Sequence, residues 1–491
     1  MESEPQEARG LRLHGLSPAF QIGSSFLTLV VPGLLFLVFA SGDSYSAWFM
    51  LAFVPAVSIS LVRYFTLRYD LTAEHVVVRE GLVFKSIRHI PFSRIQNIDT
   101  TQNPLHRLFG VAEVRLETAG GREPEAVFRV LSLDSLEVIR KGVFAGRNGL
   151  AGALDPVQVG SAQRQTPFFR MGWLNIALFG LLSQKGLALL AGLVFLMWEF
   201  ELWSKIQQAL PFDPEEASKS VTVGGWIFSG LGLVLLLQVL TLAWSFLTLH
   251  GFRILRTEEG LSTYCGLWIK QSATLPRHRI HFLSIREGLL SRWLGRLSIQ
   301  AATAGGDLNA EEQISRKWLI PLTHKTQLDA ILREVQPELE LSHVDWTRVH
   351  PRALGRMLRR WWVLSLAPCI VLGLQLPLAG VISYAVIGLL GSWGMAIRAK
   401  HLGYALGKSA ILVRDGILTR ERNAVRYSKI QSISVRQNPF DRRARMATLE
   451  VDTAGQSSSG LRLRIPYLGL EVAESLKDEL RQRAAAAAFH W

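Results

Sequence analysis

Only two cysteines, Cys265 and Cys369, occur in the 491 residues of the chain. One lies in a polar segment and the other inside an apolar run, so neither a disulfide framework nor a cysteine-rich metal site is available. That usage suits domains facing a reducing cytosol. Catalytic signatures are equally scarce: there is no P-loop, no Rossmann glycine pattern, no HExxH helix and no GxSxG elbow. No cofactor is implied, and an enzymatic reading has only scattered residues to rest on. Ionisable groups are missing from the depths of the apolar runs, with Lys185 the one borderline case. Proton- and ion-coupled transporters place such groups there, so the runs read as anchors. His278 and His281 flank Arg279, but on the strand expected here a spacing of three points them to opposite faces. The nearby acids add no third ligand, and no metal is expected.

What is abundant is apolar residue and positive charge together. The chain is 49% hydrophobic, yet carries 54 Lys+Arg against 40 Asp+Glu, a net charge of +14. Apolar runs with basic flanks account for both. Because the basic residues border those runs rather than forming a Lys/Arg tract, the expected partners are the lipid bilayer and its anionic headgroups, not nucleic acid. Runs of membrane-spanning length cover Gln21–Ala40, Ala47–Val62, Gly224–Leu249, Trp361–Ala379 and Val381–Ile397. The first is too long for a signal-peptide core and reads as an uncleaved anchor. Met171–Leu182 and Gly186–Trp198 are separated by Ser183-Gln184-Lys185. The favoured reading is an interfacial helix followed by a span; one long tilted helix is the alternative. Six spans in three pairs result. The short segments SGDSYS and that around Gly380 lack Lys and Arg, and Glu199–Ser220 holds only Lys205 and Lys219, whereas Arg352, Arg356, Arg359 and Arg360 precede the fifth run and Arg398 and Lys400 follow the sixth. The long polar segments and both termini therefore belong on the cytoplasmic side.

The polar segments repeat. With Gly81, Gly266 and Gly416 as anchors, three segments align without a gap for about forty residues. In each, a strand-like run ends at the anchor glycine (HVVVREG, GLSTYCG, AILVRDG), where a positive φ is cheap. A second strand leads to Arg94-Ile95, Arg279-Ile280 or Lys429-Ile430, and a third alternates (IQNIDT, IHFLSI, IQSISV). A short helical turn follows. Asn103-Pro104 and Asn438-Pro439 suit its start and Gly110 suits the end in the first copy, whereas the third copy lacks that glycine. Another alternating strand (VRLETAG, SIQAATAG, LEVDTAG), a variable hairpin and an amphipathic helix close each copy.

The strand order, the basic-Ile-Gln step, the Asn-Pro turn, the TAG strand end and the final helix resemble bacterial pleckstrin-homology (PH) domains of the membrane-anchored type. Three copies, each preceded by a helix pair, resemble the YdbT-like proteins. The second copy departs most, with Glu287-Gly288-Leu289 at the turn. The implied fold is a multi-domain membrane protein of six transmembrane helices in three pairs. These alternate with three PH-like modules, each a bent antiparallel sheet with a C-terminal helix. The expected order is a tail (1–20), helix pair 1 (21–62), module 1 (63–145), a linker (146–170), interfacial helix and pair 2 (171–249), module 2 (250–336), a basic linker (337–360), pair 3 (361–397), module 3 (398–485) and a tail (486–491). The resemblance also implies a homo-oligomer or a complex with a smaller PH-domain membrane protein.

Two basic positions recur thirteen residues apart: Arg94, Arg279 and Lys429, then Arg107, Arg292 and Arg442. Guanidinium groups suit bidentate capture of phosphate or carboxylate, which makes these six the candidate contacts to a headgroup or partner. Salt bridges inside each module, or stems packed on the sheet, are the competing reading. Overall the chain reads as a non-enzymatic scaffold, with a lipid-handling or transport protein and an unrecognised membrane enzyme as the rivals. The charge asymmetry predicts that reporters fused at Gly149 and after Trp491 report cytoplasm, and that one near Pro214 reports the outer side. A periplasmic signal from Gly149 contradicts the six-span reading.

Overall fold

The computed structural model describes residues 11–12, 68–72, 75–80, 85–92, 95–118, 126–139, 167–183, 223–257, 260–303, 318–339, 344–453 and 463–487. The first two expected spans, the third beyond Ser183, Lys185, Gly81 and Arg94 lie outside them. Strands form four antiparallel sheets. β1 (Leu11–Arg12), β2 (Arg68–Leu71), β3 (His75–Glu80) and β4 (Ser86–Pro91) make the first, in that order. The second joins β5 (Ile95–Gln102), β6 (Val111–Thr118) and β7 (Ala126–Ser132) to β8 (Phe169–Arg170), β9 (Arg253–Thr257), β10 (Gly260–Cys265) and β11 (Lys270–Leu275), ordered β7-β6-β5-β11-β10-β9-β8. The third repeats this plan one copy later. It comprises β12 (Ile280–Glu287), β13 (Arg296–Thr303), β14 (Ile320–His324), β15 (Thr347–Arg348), β16 (Gly403–Leu406), β17 (Ala410–Asp415) and β18 (Arg420–Arg426), ordered β14-β13-β12-β18-β17-β16-β15. β19 (Ile430–Arg436), β20 (Met446–Thr453) and β21 (Leu463–Gly469) form the last.

Each copy thus contributes two half-sheets, and each inner half-sheet is hydrogen-bonded to the neighbouring copy. The chain accordingly divides inside copy 2, into one unit of residues 1–256 with 262–274 and another of 257–261 with 275–491. In copies 1 and 3 the two halves still face each other across an apolar core, because alternation places every second residue inward. In copy 1, Val76, Val78 and Ile90 of one half meet Val114, Leu116 and Phe128 of the other, closed by Leu136 and Ile139 from the helical residues 133–139. In copy 3, Ile411, Val413 and Val425 meet Leu449, Val451 and Ile465, closed by Leu476 and Leu480.

The anchor glycines that are described share one conformation, φ +104° at Gly266 and +117° at Gly416. The helical turns after the third strand are α1 (Pro104–Leu108), with its counterparts in copies 2 and 3 described below. Each turn exits through a left-handed residue: Gly110 (φ +65°), Gly295 (φ +62°) and, in copy 3, Arg445 (φ +51°). The missing glycine of copy 3 therefore leaves the backbone path intact and places a side chain in a region that costs roughly 1–2 kcal/mol.

Helix α2 (Trp173–Leu182) ends at Ser183, whose backbone is extended. It runs antiparallel to α3 (Val223–Leu249): β8 pairs with β9 at one end, and Gly180 meets Leu242 and Ser245 further along. α2 thus lies along α3 rather than across its foot. The single long helix given as the alternative is broken at Ser183. The remaining helices are α4 (Leu289–Trp293), α5 (Leu328–Val335), α6 (Ala353–Gln375), α7 (Pro377–His401), α8 (Pro439–Arg443) and α9 (Leu470–Ala486). Among the described residues two helices are long and apolar enough to cross a membrane, α3 over Gly230–Leu249 and α7. α6 packs against α7 as a hairpin through small residues. Gly388 and Gly391 seat the rings of Trp362 and Trp361, and Gly373 faces Gly380. Trp361 Nε1 donates to the Ile387 carbonyl (3.1 Å) and Trp362 Nε1 to Ser392 Oγ (3.0 Å). Such close backbone approach is how helices associate in lipid, while Val363, Leu374, Val381 and Leu389 are left exposed on the outside.

A Cβ at Gly416 would overlap the Thr419 carbonyl, at a φ that L-residues avoid. Gly416→Ala is expected to cost roughly 2–3 kcal/mol and lower the thermal midpoint in detergent. Gly230→Ala, where the space is open, should not lower it.

Candidate functional site

In copies 2 and 3 the two basic rows sit at opposite ends of the third strand. Arg279 and Lys429 end the 3-10 turns Arg277–Arg279 and Tyr427–Lys429, immediately before β12 and β19. Arg292 lies beyond β12, whose eight residues span about 27 Å. The rows therefore do not converge within a copy. Arg107 Nη2 donates to the Trp268 carbonyl (3.3 Å), and Arg292 Nη2 donates to those of Leu418 (3.0 Å) and Ile417 (3.4 Å). Trp268 and Leu418 each stand two residues past their anchor glycine. Both arginines thus clasp the hairpin turn of the next copy, neither pairing inside their own module nor lining a pocket with the first row. Arg442 of α8 is exposed.

Arg279 and Lys429 meet around a histidine instead. His281 lies on β12, whereas His278 lies in the preceding turn rather than on the strand. Burial, followed by the positive fields of Lys429, Arg426, Arg279 and His278, lowers the His281 pKa to about 4. Arg426 seals the cluster by donating to the carbonyls of Ile280 (2.9 Å), Arg277 (3.3 Å) and His278 (3.4 Å). Among the described residues no group of three His, Cys, Asp or Glu is placed to hold a metal.

A second basic assembly was legible in the sequence only as a topological signal. α6, α7, α8 and β21 enclose a cavity of about 1050 Å³ lined by Arg352, Arg356, Arg359, Arg360, Arg398 and Arg443, with Asp415 and Asp441. The two carboxylates are already matched. Arg398 grips Asp415 through Nε (2.8 Å) and Nη2 (2.7 Å), and Asp415 also accepts from the Gly416 amide (2.6 Å). Arg356 pairs with Asp441 (2.9 Å) and donates to Asn438 Oδ1 (2.9 Å), both on the start of α8. That start is a reciprocal cap: Asn438 Oδ1 accepts from the Asp441 amide (2.8 Å) and Asp441 Oδ2 from the Asn438 amide (3.2 Å). Arg352, Arg359, Arg360 and Arg443 remain, exposed and with no carboxylate partner among the described residues. Four unneutralised guanidinium groups around one space suit a phosphate or other polyanion. Val363 and Leu364 continue the wall along α6.

The His281 cluster has a sign that can be worked out. An unfolded histidine binds its proton near pH 6.5, the folded one only near pH 4, so the unfolded state takes up the extra proton between these values. Stability is fully present above pH 6.5 and falls as pH drops toward 4. His281→Gln should flatten part of that acid loss in melting curves, and an unchanged slope would remove His281 from it.

The bacterial PH domain family matches three segments of the chain, residues 20–146, 212–339 and 364–484. UPF0699 transmembrane protein YdbT of Bacillus subtilis (strain 168) is 24% identical over 431 residues, covering 83% of this chain and 83% of that protein. UPF0699 transmembrane protein YdbS of the same organism is 28% identical over 79 residues, 16% of this chain and 50% of that protein. No solved structure matches the chain. The matched segments contain all three copies of the repeat, and the chain belongs to the bacterial PH domain family as a YdbT-like membrane protein.

Proposed function

We propose that the chain is a non-enzymatic scaffold of the bacterial cytoplasmic membrane, with six spans, both termini and all three PH-like modules on the cytoplasmic side. In this reading the helix pairs anchor a row of modules against the inner leaflet, and the arginine-lined cavity beside α6 and α7 holds an anionic lipid headgroup. The observation that carries it is the charge balance of that cavity. Asp415 and Asp441 are consumed by Arg398 and Arg356, which leaves Arg352, Arg359, Arg360 and Arg443 for an external anion. Their position at the basic end of an apolar hairpin is where an anionic leaflet presents phosphate. The Gly–Trp packing of α6 on α7 supports an anchoring role for this pair rather than a transport path.

The test is lipid retention. Protein purified from nanodiscs containing equal phosphatidylglycerol and phosphatidylethanolamine should retain the anionic lipid preferentially. Arg359→Glu combined with Arg443→Glu should lower that retention roughly tenfold, about 1.4 kcal/mol, with an unchanged melting midpoint. Equal retention by wild type and variant contradicts the headgroup assignment. A fall in midpoint with normal retention per folded molecule assigns these arginines to structure.

A further inference from the structure

The strands that join one copy to the next each occur three times but, among the described residues, are joined only twice. β5 pairs with β11 and β12 with β18, and both junctions have the same register. Gln102 stands opposite Lys270, and Glu287 opposite Arg420; counted from the anchor glycines these are the same two positions. Both junctions carry the same clasp, Arg107 on Trp268 and Arg292 on Leu418. Cross-strand chemistry reinforces each: Thr100 Oγ1 to Ser272 Oγ (2.6 Å) in the first, Arg286 to Glu421 (3.0 Å) and Arg422 to Glu287 in the second.

Among the described residues the third pair of such strands, β19 and β4, has no partner at the corresponding edge: each is the last strand of its sheet. Their exposure agrees. None of the seven residues of β19 is buried, whereas five of the eight in its counterpart β12 are. On β4 only Ile90 is buried, and Ile87 is 58% exposed. Arg442, the counterpart of Arg107 and Arg292, has a guanidinium with no hydrogen bond or ion pair among the described residues. An open strand edge with unpaired N–H and C=O groups is a template for another strand. The repeat itself states which strand fits.

We propose that β19 of one molecule binds β4 of a second copy of this chain, antiparallel and in the register of the internal junctions. Gln437 then lies opposite Lys85, Arg436 opposite Ser86, Val435 opposite Ile87 and Ser432 opposite Ile90. Ile87 gains an apolar neighbour, and Arg442 supplies the clasp to the incoming molecule. The contact is heterologous, so it closes as a ring or continues as a row.

Directed disulfide formation in membranes tests this with the full chain. The two native cysteines are buried, and burial pushes the Cys265 thiol up to about 12; both are replaced by alanine. One tagged chain carries Ser86→Cys and a differently tagged chain Arg436→Cys. Mild oxidation should give a product bearing both tags, at least tenfold more than the mismatched combination of Ser86→Cys with Ser432→Cys. Arg442→Ala should lower that yield several-fold without moving the melting midpoint. Four results would overturn the proposal. These are no two-tag product, an equal yield from the mismatched combination, an unchanged yield with Arg442→Ala, or capture of Arg436→Cys by a different PH-domain protein in place of the second copy. Ring closure of a doubly substituted chain on itself, when diluted in an excess of wild-type chains, would also overturn it.

Discussion

The architecture depends on the backbone of the strand that follows each basic-Ile step. One side of that strand is occupied within its own copy, and the other presents a row of amide and carbonyl groups. Left buried and unpaired, each such group costs on the order of 1–3 kcal/mol. The next copy satisfies them: β11 covers β5, and β18 covers β12. Six aligned residue pairs at the second junction, at a net of roughly 0.5–1.5 kcal/mol per hydrogen bond, make this a substantial contact rather than a grazing one. A copy is therefore a unit of sequence, while each seven-stranded sheet is built from two copies. The division of the chain inside copy 2 is the direct consequence.

The α6–α7 hairpin stands on the second constraint, the close packing of α6 on α7. Glycines at 388 and 391 admit the two indoles, whose N–H groups find partners on α7. That fixes the basic ends of both helices side by side. Arg356 and Arg398 then spend their charge on Asp441 and Asp415, tying helix ends to α8 and to the Gly416 turn. The arginines left over face one cavity. Anchor and candidate site thus share a frame, and loosening the hairpin would blur the site.

Much of this was legible in the sequence. The gapless repeat located the turns, and the glycine at 266 and 416 does what a positive φ requires. The Asn-Pro start of the short helix forms the expected cap in copy 3. Period-two alternation identified strands but not their neighbours, since β12 pairs as well with a strand of the next copy as with one of its own. For the same reason Arg107 and Arg292 could be read as ligand contacts or internal salt bridges, whereas in the structure they donate to backbone carbonyls, which leave no side-chain signature. Arg445 hides a left-handed position because it is not glycine. His278 was misplaced onto a strand because a single 3-10 turn has no periodicity to detect. The cavity has no local sequence signature, because Arg356, Arg359 and Arg360 read as the basic flank of an apolar run and Arg443 lies far along the chain.

The claim on which the rest turns is that sheets cross copy boundaries, and one pair of disulfides measures it. Thr100 lies opposite Ser272 in the first junction, and Ile87 is the residue of copy 1 equivalent to Ser272. In a chain without native cysteines, Thr100→Cys with Ser272→Cys should oxidise to completion in the folded protein and raise the melting midpoint. Thr100→Cys with Ile87→Cys should stay reduced. The reverse outcome, with 100 linking to 87 and not to 272, would show that the module closes its own sheet and would contradict the crossing of copy boundaries.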